Sequence, residues 1–308
     1  MSGTENRGLF RATDITAEVF LILRSTFFDG NMQPRNYPLR DKRNAQDDPF
    51  DEYVHKLLSE QLQSGTICVK APGPLITPDF VVVCPAMCNG VSRTMLASDL
   101  SRIIGVEVKK LERIRGGEVA RSSGMDYNTT PPCGMVRVYD ESKHILDIRS
   151  FYLFVCQSAV PDQTGQYRLS ALALCDGNLL NSDFAYYLSV VGARSKKLGL
   201  GTYRDGADRS RPMLIFPNPL GVPELDHEIT LVHPRVDLEN EFPQLLRVGL
   251  IKRTVPLEET REFHCYRLRN DVQTASTHFE LTDPFPSPNR TEKTQPRGRF
   301  RVPVKPTD

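Results

Sequence analysis

The segment GVEVKKLERIR, residues 105–115, decides the fold because apolar and charged side chains alternate along its first half. Val106 and Val108 alternate with Glu107 and Lys109, and this period of two is typical of a strand with one buried face. We therefore predict a half-buried strand whose charged side faces a cleft.

A second strand is predicted upstream at PDFVVVCPAM, residues 78–87, where three consecutive valines form a β-branched run. TICVKA, residues 66–71, is predicted as another strand, and the intervening segment contains the Pro and Gly of a turn. Asp79 stands out in this region because a carboxylate that enters an apolar strand is costly unless it has a partner.

Two helices are predicted before these strands. ITAEVFLILRST, residues 15–26, has helical apolar spacing, and PFDEYVHKLLSEQLQSG, residues 49–65, begins with a proline and ends at a glycine. Downstream, we predict strands at 135–140, 144–160, 167–181, 227–234 and 263–268, a helix at 184–201, and a loop over SSGMDYNTTPPCGM, residues 122–135. The fold class expected is α/β, with a mixed central β-sheet flanked by helices.

The composition is that of a soluble globular protein, with 308 residues, 39% hydrophobic and 25% charged residues. The net charge is only +1, so DNA binding would depend on local basic patches, which occur at 102–121, 193–211 and 289–308. The seven cysteines are scattered and lack zinc-site spacing, which favours reduced thiols in a cytoplasmic protein. We expect no signal peptide and no membrane span.

The two strands around Asp79 and Glu107 can bring their carboxylates together if they are neighbours in the sheet. With the main-chain carbonyl of Val108, these groups would offer the hard oxygen ligands that Mg²⁺ prefers. The ammonium of Lys109 could then stabilise hydroxide or hold a water molecule in line with a phosphorus atom. The alternative is that Glu107 and Lys109 form a surface pair that contributes little.

The order Pro78-Asp79, then Glu107-Val108-Lys109, resembles the PD-(D/E)xK nuclease superfamily, which includes most type II restriction endonucleases. The resemblance covers roughly residues 50–180 and implies a restriction-endonuclease-like core. It makes Asp79 and Glu107 metal ligands and Lys109 the catalytic lysine. The preceding helix often adds an acid in this family, for which we select Glu60, with Glu52 as the alternative.

The resemblance implies a nuclease domain over residues 1–282, with inserted and C-terminal recognition elements, and a Pro/Arg-rich C-terminal arm over 283–308. The sequence LERIR, residues 111–115, is similar to the Arg-(Asp/Glu)-Arg element of enzymes that cut CCGG or CCNGG, although Leu111 replaces its first arginine. A short C·G-containing palindrome would imply a homodimer on double-stranded DNA. The candidate DNA-reading residues are Glu112, Arg113, Arg115, Asp126, Asn128, Arg204, Asp208 and Arg209.

Two other functions remain compatible with the sequence. One is a structure-dependent repair or recombination nuclease that uses the same site without a fixed target sequence. The other is a DNA-binding module in which the carboxylates are structural and no cleavage occurs. Phosphate-loop, HExxH and GxSxG motifs are absent, which argues against the chemistries that those motifs support.

Overall fold

The computed structural model describes residues 13–44, 47–73, 76–111, 125–128, 134–181, 211–217, 219–225, 228–254, 260–272, 278–282, 290–294 and 301–307. Within these ranges, the protein has a mixed α/β fold with a large 11-stranded mixed sheet and few helices. The predicted fold class is confirmed at this level.

Two helices of 13 residues precede most of the sheet, and both have a side-chain cap. Helix α1 spans Ile15–Phe27, and Asp14 accepts a hydrogen bond from the main-chain N–H of Thr16 at 3.0 Å. Helix α2 spans Pro49–Gln61 and is capped by Asp48 in the same way. Shorter helical segments lie at Pro85–Cys88, Arg93–Leu96, Gly177–Asn181 and Leu238–Glu241, and 3-10 turns lie at Pro219–Gly221 and Arg269–Asp271.

The described residues contain fourteen strands in chain order. They are β1 Tyr37–Pro38, β2 Ile67–Lys70, β3 Phe80–Val83, β4 Ile103–Leu111, β5 Met125–Asn128, β6 Met135–Tyr139, β7 Ile145–Ala159, β8 Gln166–Asp176, β9 Arg211–Pro217, β10 Ile229–His233, β11 Leu245–Arg253, β12 Arg261–Leu268, β13 Phe279–Thr282 and β14 Arg290–Thr294.

The main sheet has the order β13-β11-β12-β10-β8-β7-β4-β3-β2, with β1 paired to β8 and β6 paired to β7. Strand β4 pairs parallel with β7 and antiparallel with β3, which makes the sheet mixed around the predicted site. A second sheet of three strands has the order β14-β9-β5.

The long strand β7 shows why the centre of the sheet is apolar on both faces. Its alternate residues Phe151 and Leu153 pack with α1 and α2 on one face, whereas Tyr152 and Phe154 pack into a second cluster on the other face. A strand buried on both sides is predominantly apolar rather than alternating, as the sequence of this segment indicates.

The end of the chain contributes to a third apolar cluster beside β6. Val302 and Val304 are fully buried there with Val136 and Val138. Main-chain hydrogen bonds from Gly90 to the carbonyl of Lys305 and from Val302 to the carbonyl of Tyr139 hold this segment in place. Residues 301–307 of the predicted arm are therefore extended but packed into the core.

Most predicted helix and strand positions are confirmed, with four differences. The predicted strand over 78–87 extends only over Phe80–Val83, and Pro85–Cys88 form a helical segment instead. Helix α2 ends at Gln61 rather than at residue 65, and Gly65 lies in the following turn with a φ of +91°. The predicted strand over 167–181 ends at Asp176, and its last five residues form a helical segment instead. The predicted loop over 122–135 contains strand β5, which gains its main-chain partners from β9. The predicted helix at 184–201 lies outside the described residues.

A buried ion pair joins α1 to the turn that follows β12, and this pair generates a stability prediction. Arg24 donates from Nε to Asp271 Oδ2 at 2.8 Å and from a terminal nitrogen to the other oxygen, and both side chains are nearly inaccessible. Asp271→Ala leaves a buried guanidinium unpaired and should lower the free energy of unfolding by about 3–5 kcal/mol in urea titrations.

The matched control is Asp237→Ala, because the side chain of Asp237 is 53% exposed and pairs with Arg235 at 3.1 Å. This change should cost less than about 1 kcal/mol. Equal losses in the two variants would contradict a special role for the buried pair.

Candidate functional site

The register of β3 against β4 leaves an open strand edge at the predicted site. Strand β3 begins at Phe80, which lies opposite Val106, whereas β4 continues to Leu111. From Glu107 onward, β4 pairs with β7 on its other side, and β3 no longer covers the near edge. The residue just before β3 is Asp79, so its carboxylate meets this open edge.

Asp79 is fixed there by main-chain contacts on both sides. Its Oδ2 accepts a hydrogen bond from the main-chain N–H of Val108 at 2.7 Å, and its carbonyl accepts one from Ala71 at 2.9 Å. In a strand, the N–H and the carbonyl of one residue point to the same edge of the strand. The carbonyl of Val108 therefore faces the same opening as the Asp79 carboxylate.

A glycine in β4 allows the chain before Asp79 to lie close to this strand. A Cβ atom on Gly105 would lie 2.5 Å from Val136 Cγ2 and 3.2 Å from Pro78 Cγ, distances at which a neighbour must move. Gly105 thus permits Pro78 to lie against β4 and helps to set the position of Asp79.

Glu107 and Lys109 lie on one side of β4, as their spacing predicts. Lys109 Nζ donates to Glu107 Oε1 at 2.8 Å, and Glu107 as a whole is only 6% exposed. Its other oxygen, Oε2, is inaccessible to solvent and has no hydrogen-bond partner within the described residues. A carboxylate in this state is costly unless a further ligand neutralises it.

Asp51 of α2 is the third carboxyl group of this site. Its Oδ1 is likewise enclosed and has no hydrogen-bond donor in the described part of the chain. Burial raises the pKa of Asp51 to about 7, with a further contribution from the negative charge of Asp48. Lys110 and Lys70 oppose this shift in pKa.

Burial and neighbouring negative charges also raise the pKa of Asp79. Burial raises the pKa of Asp79 well above its usual range, and the negative charges of Glu107 and Asp51 raise it further. The ammonium of Lys109 and the hydrogen bond from Val108 oppose the increase without cancelling it. The site therefore carries an excess of buried negative charge that a cation would relieve.

The donor set fits a hard divalent cation. Magnesium is usually held by one or two carboxylates with several water molecules, rather than by a complete protein cage. Asp79, Glu107 and the carbonyl of Val108 supply such a partial set, and Glu107 Oε2 is an enclosed oxygen without a donor. The described residues contain no cluster of three or more His, Cys, Asp or Glu side chains already spaced as a full metal cage.

An open cavity of about 610 Å³ contains these groups. Acids from three elements line its inner part, and cations lie around them. The lining residues that matter here are Asp51, Asp79, Glu107, Arg43, Lys70 and Lys109. Glu107 is buried whereas Arg43 and Lys70 are exposed, so these two cations lie at the mouth of the cavity, whose lining also includes Asp47 and Asp48.

The structure brings Asp79, Glu107, Val108 and Lys109 together, but it does not bring Glu60 to them. Glu60 is exposed and lies 3.9 Å from Lys56 on the outer side of α2. It is nine residues from Asp51, or about 13 Å along the helix axis. The structure therefore places Glu60 outside the site, because the helix turns that residue towards solvent.

The alternative acid, Glu52, is also directed elsewhere. Arg40 donates to Glu52 Oε2 from Nε at 2.9 Å, and the side chain of Glu52 is 48% exposed. That hydrogen bond lowers the pKa of Glu52, in contrast to the raised pKa of Asp51.

A signal for Asp51 was present in the sequence. Asp51 lies three and seven residues before Val54 and Leu58, which are fully buried. At these spacings the three side chains share one face of the helix. A carboxylate on the apolar face of an amphipathic helix is unusual, and this criterion separates Asp51 from Glu52 and Glu60.

Only two of the predicted DNA-reading residues lie in the described part of the chain. Asp126 and Asn128 are in β5, opposite Phe216 and Leu214 of β9. The others, Glu112, Arg113, Arg115, Arg204, Asp208 and Arg209, lie outside the described residues.

Comparisons with protein-family models, curated proteins and solved structures give no match for this chain. The six cysteines within the described ranges are free and buried. Among the described helices, none is both long and apolar enough to cross a bilayer.

The raised pKa of Asp51 predicts an unusual pH dependence of stability in metal-free protein. Since its pKa is near 4 when unfolded and about 7 when folded, wild-type stability should fall as pH rises between these values. Asp51→Asn removes this penalty. At pH 8 in EDTA the variant should be more stable than wild type by roughly 2 kcal/mol or more, and near pH 4 the difference should vanish.

Glu52→Gln serves as the neighbouring control in the same urea titrations. Because the pKa of Glu52 is lowered on folding, the ionised form contributes stability above pH 4, and the substitution should not stabilise the protein at pH 8. A gain for Asp51→Asn that is equal at pH 4 and pH 8 would show that burial of its charge is not the cause.

Proposed function

We propose that this protein is a Mg²⁺-dependent endonuclease that hydrolyses phosphodiester bonds of double-stranded DNA. The observation that carries the proposal is the meeting of Asp79, Glu107, Lys109 and the Val108 backbone at the open edge of β4. This arrangement agrees with a PD-(D/E)xK core, and we assign the protein to the type II restriction endonucleases on that basis.

Asp79, Glu107 and the carbonyl of Val108 would hold the magnesium ion, and Asp51 lines the same cavity. When bound, magnesium makes water a better nucleophile at neutral pH and neutralises charge that develops on the phosphate. The mutual repulsion of Asp79, Glu107 and Asp51 supports this assignment, because a bound cation would relieve it.

Lys109 lies where a group that orients the attacking water is required. Its ammonium donates to Glu107 at 2.8 Å, and its side chain is 17% exposed, so it is held beside the acids yet reaches the cavity. From there it can orient a water molecule towards phosphorus and stabilise the additional negative charge of the transition state. Glu107 keeps this ammonium in place.

The small sheet β14-β9-β5 supports a DNA-reading element beyond the catalytic core. It joins β5, which contains the predicted reading residues Asp126 and Asn128, to β14 from the basic C-terminal region. We propose that this element recognises a short C·G-containing palindrome and that a cytoplasmic homodimer matches the two-fold symmetry of the target.

The test is incubation of the purified protein with phage DNA in Mg²⁺ or EDTA, followed by sequencing of the fragment ends. Discrete fragments that require Mg²⁺ and share a terminal sequence are expected. Lys109→Ala, Asp79→Asn and Glu107→Gln should each lower the cleavage rate by about 100-fold or more, as measured on a duplex that contains the recovered site.

Glu60→Gln is the control, because it removes an acid of α2 that lies outside the site, and it should cut at the wild-type rate. Smears or selective cleavage of branched DNA would favour a repair or recombination nuclease instead. Binding of DNA without cleavage in Mg²⁺ would favour the non-catalytic module, and a Lys109→Ala protein with normal activity would refute the lysine assignment.

A further inference from the structure

Two exposed cations lie at the mouth of the candidate site and are not committed to ion pairs. Arg43 belongs to the loop before α2, whereas Lys70 ends strand β2, and both line the cavity that contains Asp79 and Glu107. Neither side chain makes a hydrogen bond or ion pair with another described residue. Their charges are therefore available to an anionic ligand.

The loop that carries Arg43 is held in a defined shape. Arg40 donates to both oxygens of Asp47, at 2.5 and 2.8 Å, and also to Glu52 of α2. The same Asp47 accepts a hydrogen bond from the main-chain N–H of Arg43 at 2.7 Å. These hydrogen bonds tie Arg40 and the backbone of Arg43 to Asp47 and to α2, and so fix the backbone from which the Arg43 side chain extends.

Lys70 is placed at the cavity by the pairing of β2 with β3. It lies opposite Phe80 in the β2–β3 pair, and the next residue, Ala71, donates its main-chain N–H to the carbonyl of Asp79. The positive charge of Lys70 also opposes the rise in the pKa of Asp51, so it acts on groups inside the cavity.

The positions of Arg43 and Lys70 distinguish their role from that of Lys109. Lys109 contacts Glu107 in the interior, where a single phosphate would react. Arg43 and Lys70 lie further out on two separate elements, the loop before α2 and the end of β2. A polyanion that presents one phosphate to the acids must place its neighbouring phosphates near this mouth, where cations that make no hydrogen bond or ion pair gain most.

We propose that Arg43 and Lys70 are positioning residues that bind the phosphates flanking the scissile phosphate of the same nucleic-acid strand. The inference rests on the nuclease function proposed above and extends it to the way in which the substrate backbone is aligned. Arg40 acts through Arg43, because its contacts with Asp47 and Glu52 set the conformation of the loop.

The test measures steady-state cleavage of a duplex that contains the recovered cut site, with single phosphates replaced in turn by neutral methylphosphonates. In the unaltered protein, neutralisation at a position that flanks the cut should raise KM. In Arg43→Ala, KM should be roughly three- to tenfold higher on the unmodified duplex, with kcat little changed. The KM of Arg43→Ala should no longer rise when one particular flanking phosphate is replaced by methylphosphonate. The KM of Lys70→Ala should no longer rise when a different flanking phosphate is replaced.

Three further variants separate positioning from structural damage. Arg43→Lys should recover most of the affinity, and Arg40→Ala combined with Arg43→Ala should be no worse than Arg43→Ala alone. Lys56→Ala removes an exposed lysine of α2 paired with Glu60, and its KM should equal that of wild type for every methylphosphonate duplex. Each phosphate contact that is lost should also reduce the slope of log affinity against log salt concentration by about one.

The outcomes distinguish this proposal from the function on which it rests. If the unaltered protein cleaves no DNA in Mg²⁺, the nuclease function is contradicted, and the assignment of the two cations is overturned with it. If the unaltered protein cleaves normally but Arg43→Ala and Lys70→Ala keep the wild-type methylphosphonate profile, only the assignment of these two cations is overturned.

Discussion

The hydrogen bond from the main-chain N–H of Val108 to the carboxylate of Asp79 is the contact on which the site depends. It exists because β3 begins one residue after Asp79 and opposite Val106, so the edge of β4 is uncovered where its charged residues begin. A slip of this register by one residue would turn Glu107 and Lys109 to the other face of the sheet. The buried Val106 and Val108 of β4 oppose such a slip, since they would have to exchange faces as well.

The free energy of this arrangement is unfavourable for the protein alone. Three carboxyl groups share a partly enclosed cleft, and burial raises the pKa of both Asp51 and Asp79. The surrounding fold stabilises the cleft by large apolar clusters on both faces of the sheet and by a packed C-terminal segment. A site that is costly when empty and stabilised by its ligand is a common consequence of selection for activity rather than stability.

Periodicity predicted the parts of the fold whose local pattern agrees with their final environment. The alternation of Val106, Glu107, Val108 and Lys109 predicted β4, and the long apolar run around Phe151 predicted β7, because each strand shows the period of the faces that it buries. Helix α2 was predicted from its proline and apolar spacing, although its end was placed four residues too late.

The remaining features depend on contacts between distant segments. Strand β5 has little β-branched character, and among the described strands it pairs with β9, about ninety residues later in the chain, so local propensity predicted a loop. The burial of Val302 and Val304 depends on β6 in the same way. Asp51 differs from these cases, because its place on the apolar face of α2 was visible in the sequence and was passed over in favour of Glu60.

The most direct test of the central claim is a crystal of the protein soaked in Mn²⁺, which takes the same oxygen ligands as Mg²⁺ and is located by its anomalous scattering. The account predicts a single strong anomalous peak, or two adjacent peaks, within bonding distance of the Asp79 and Glu107 carboxylates and the carbonyl of Val108. An ordered, unobstructed cleft without a peak, or an ion bound only at some other place, would contradict it.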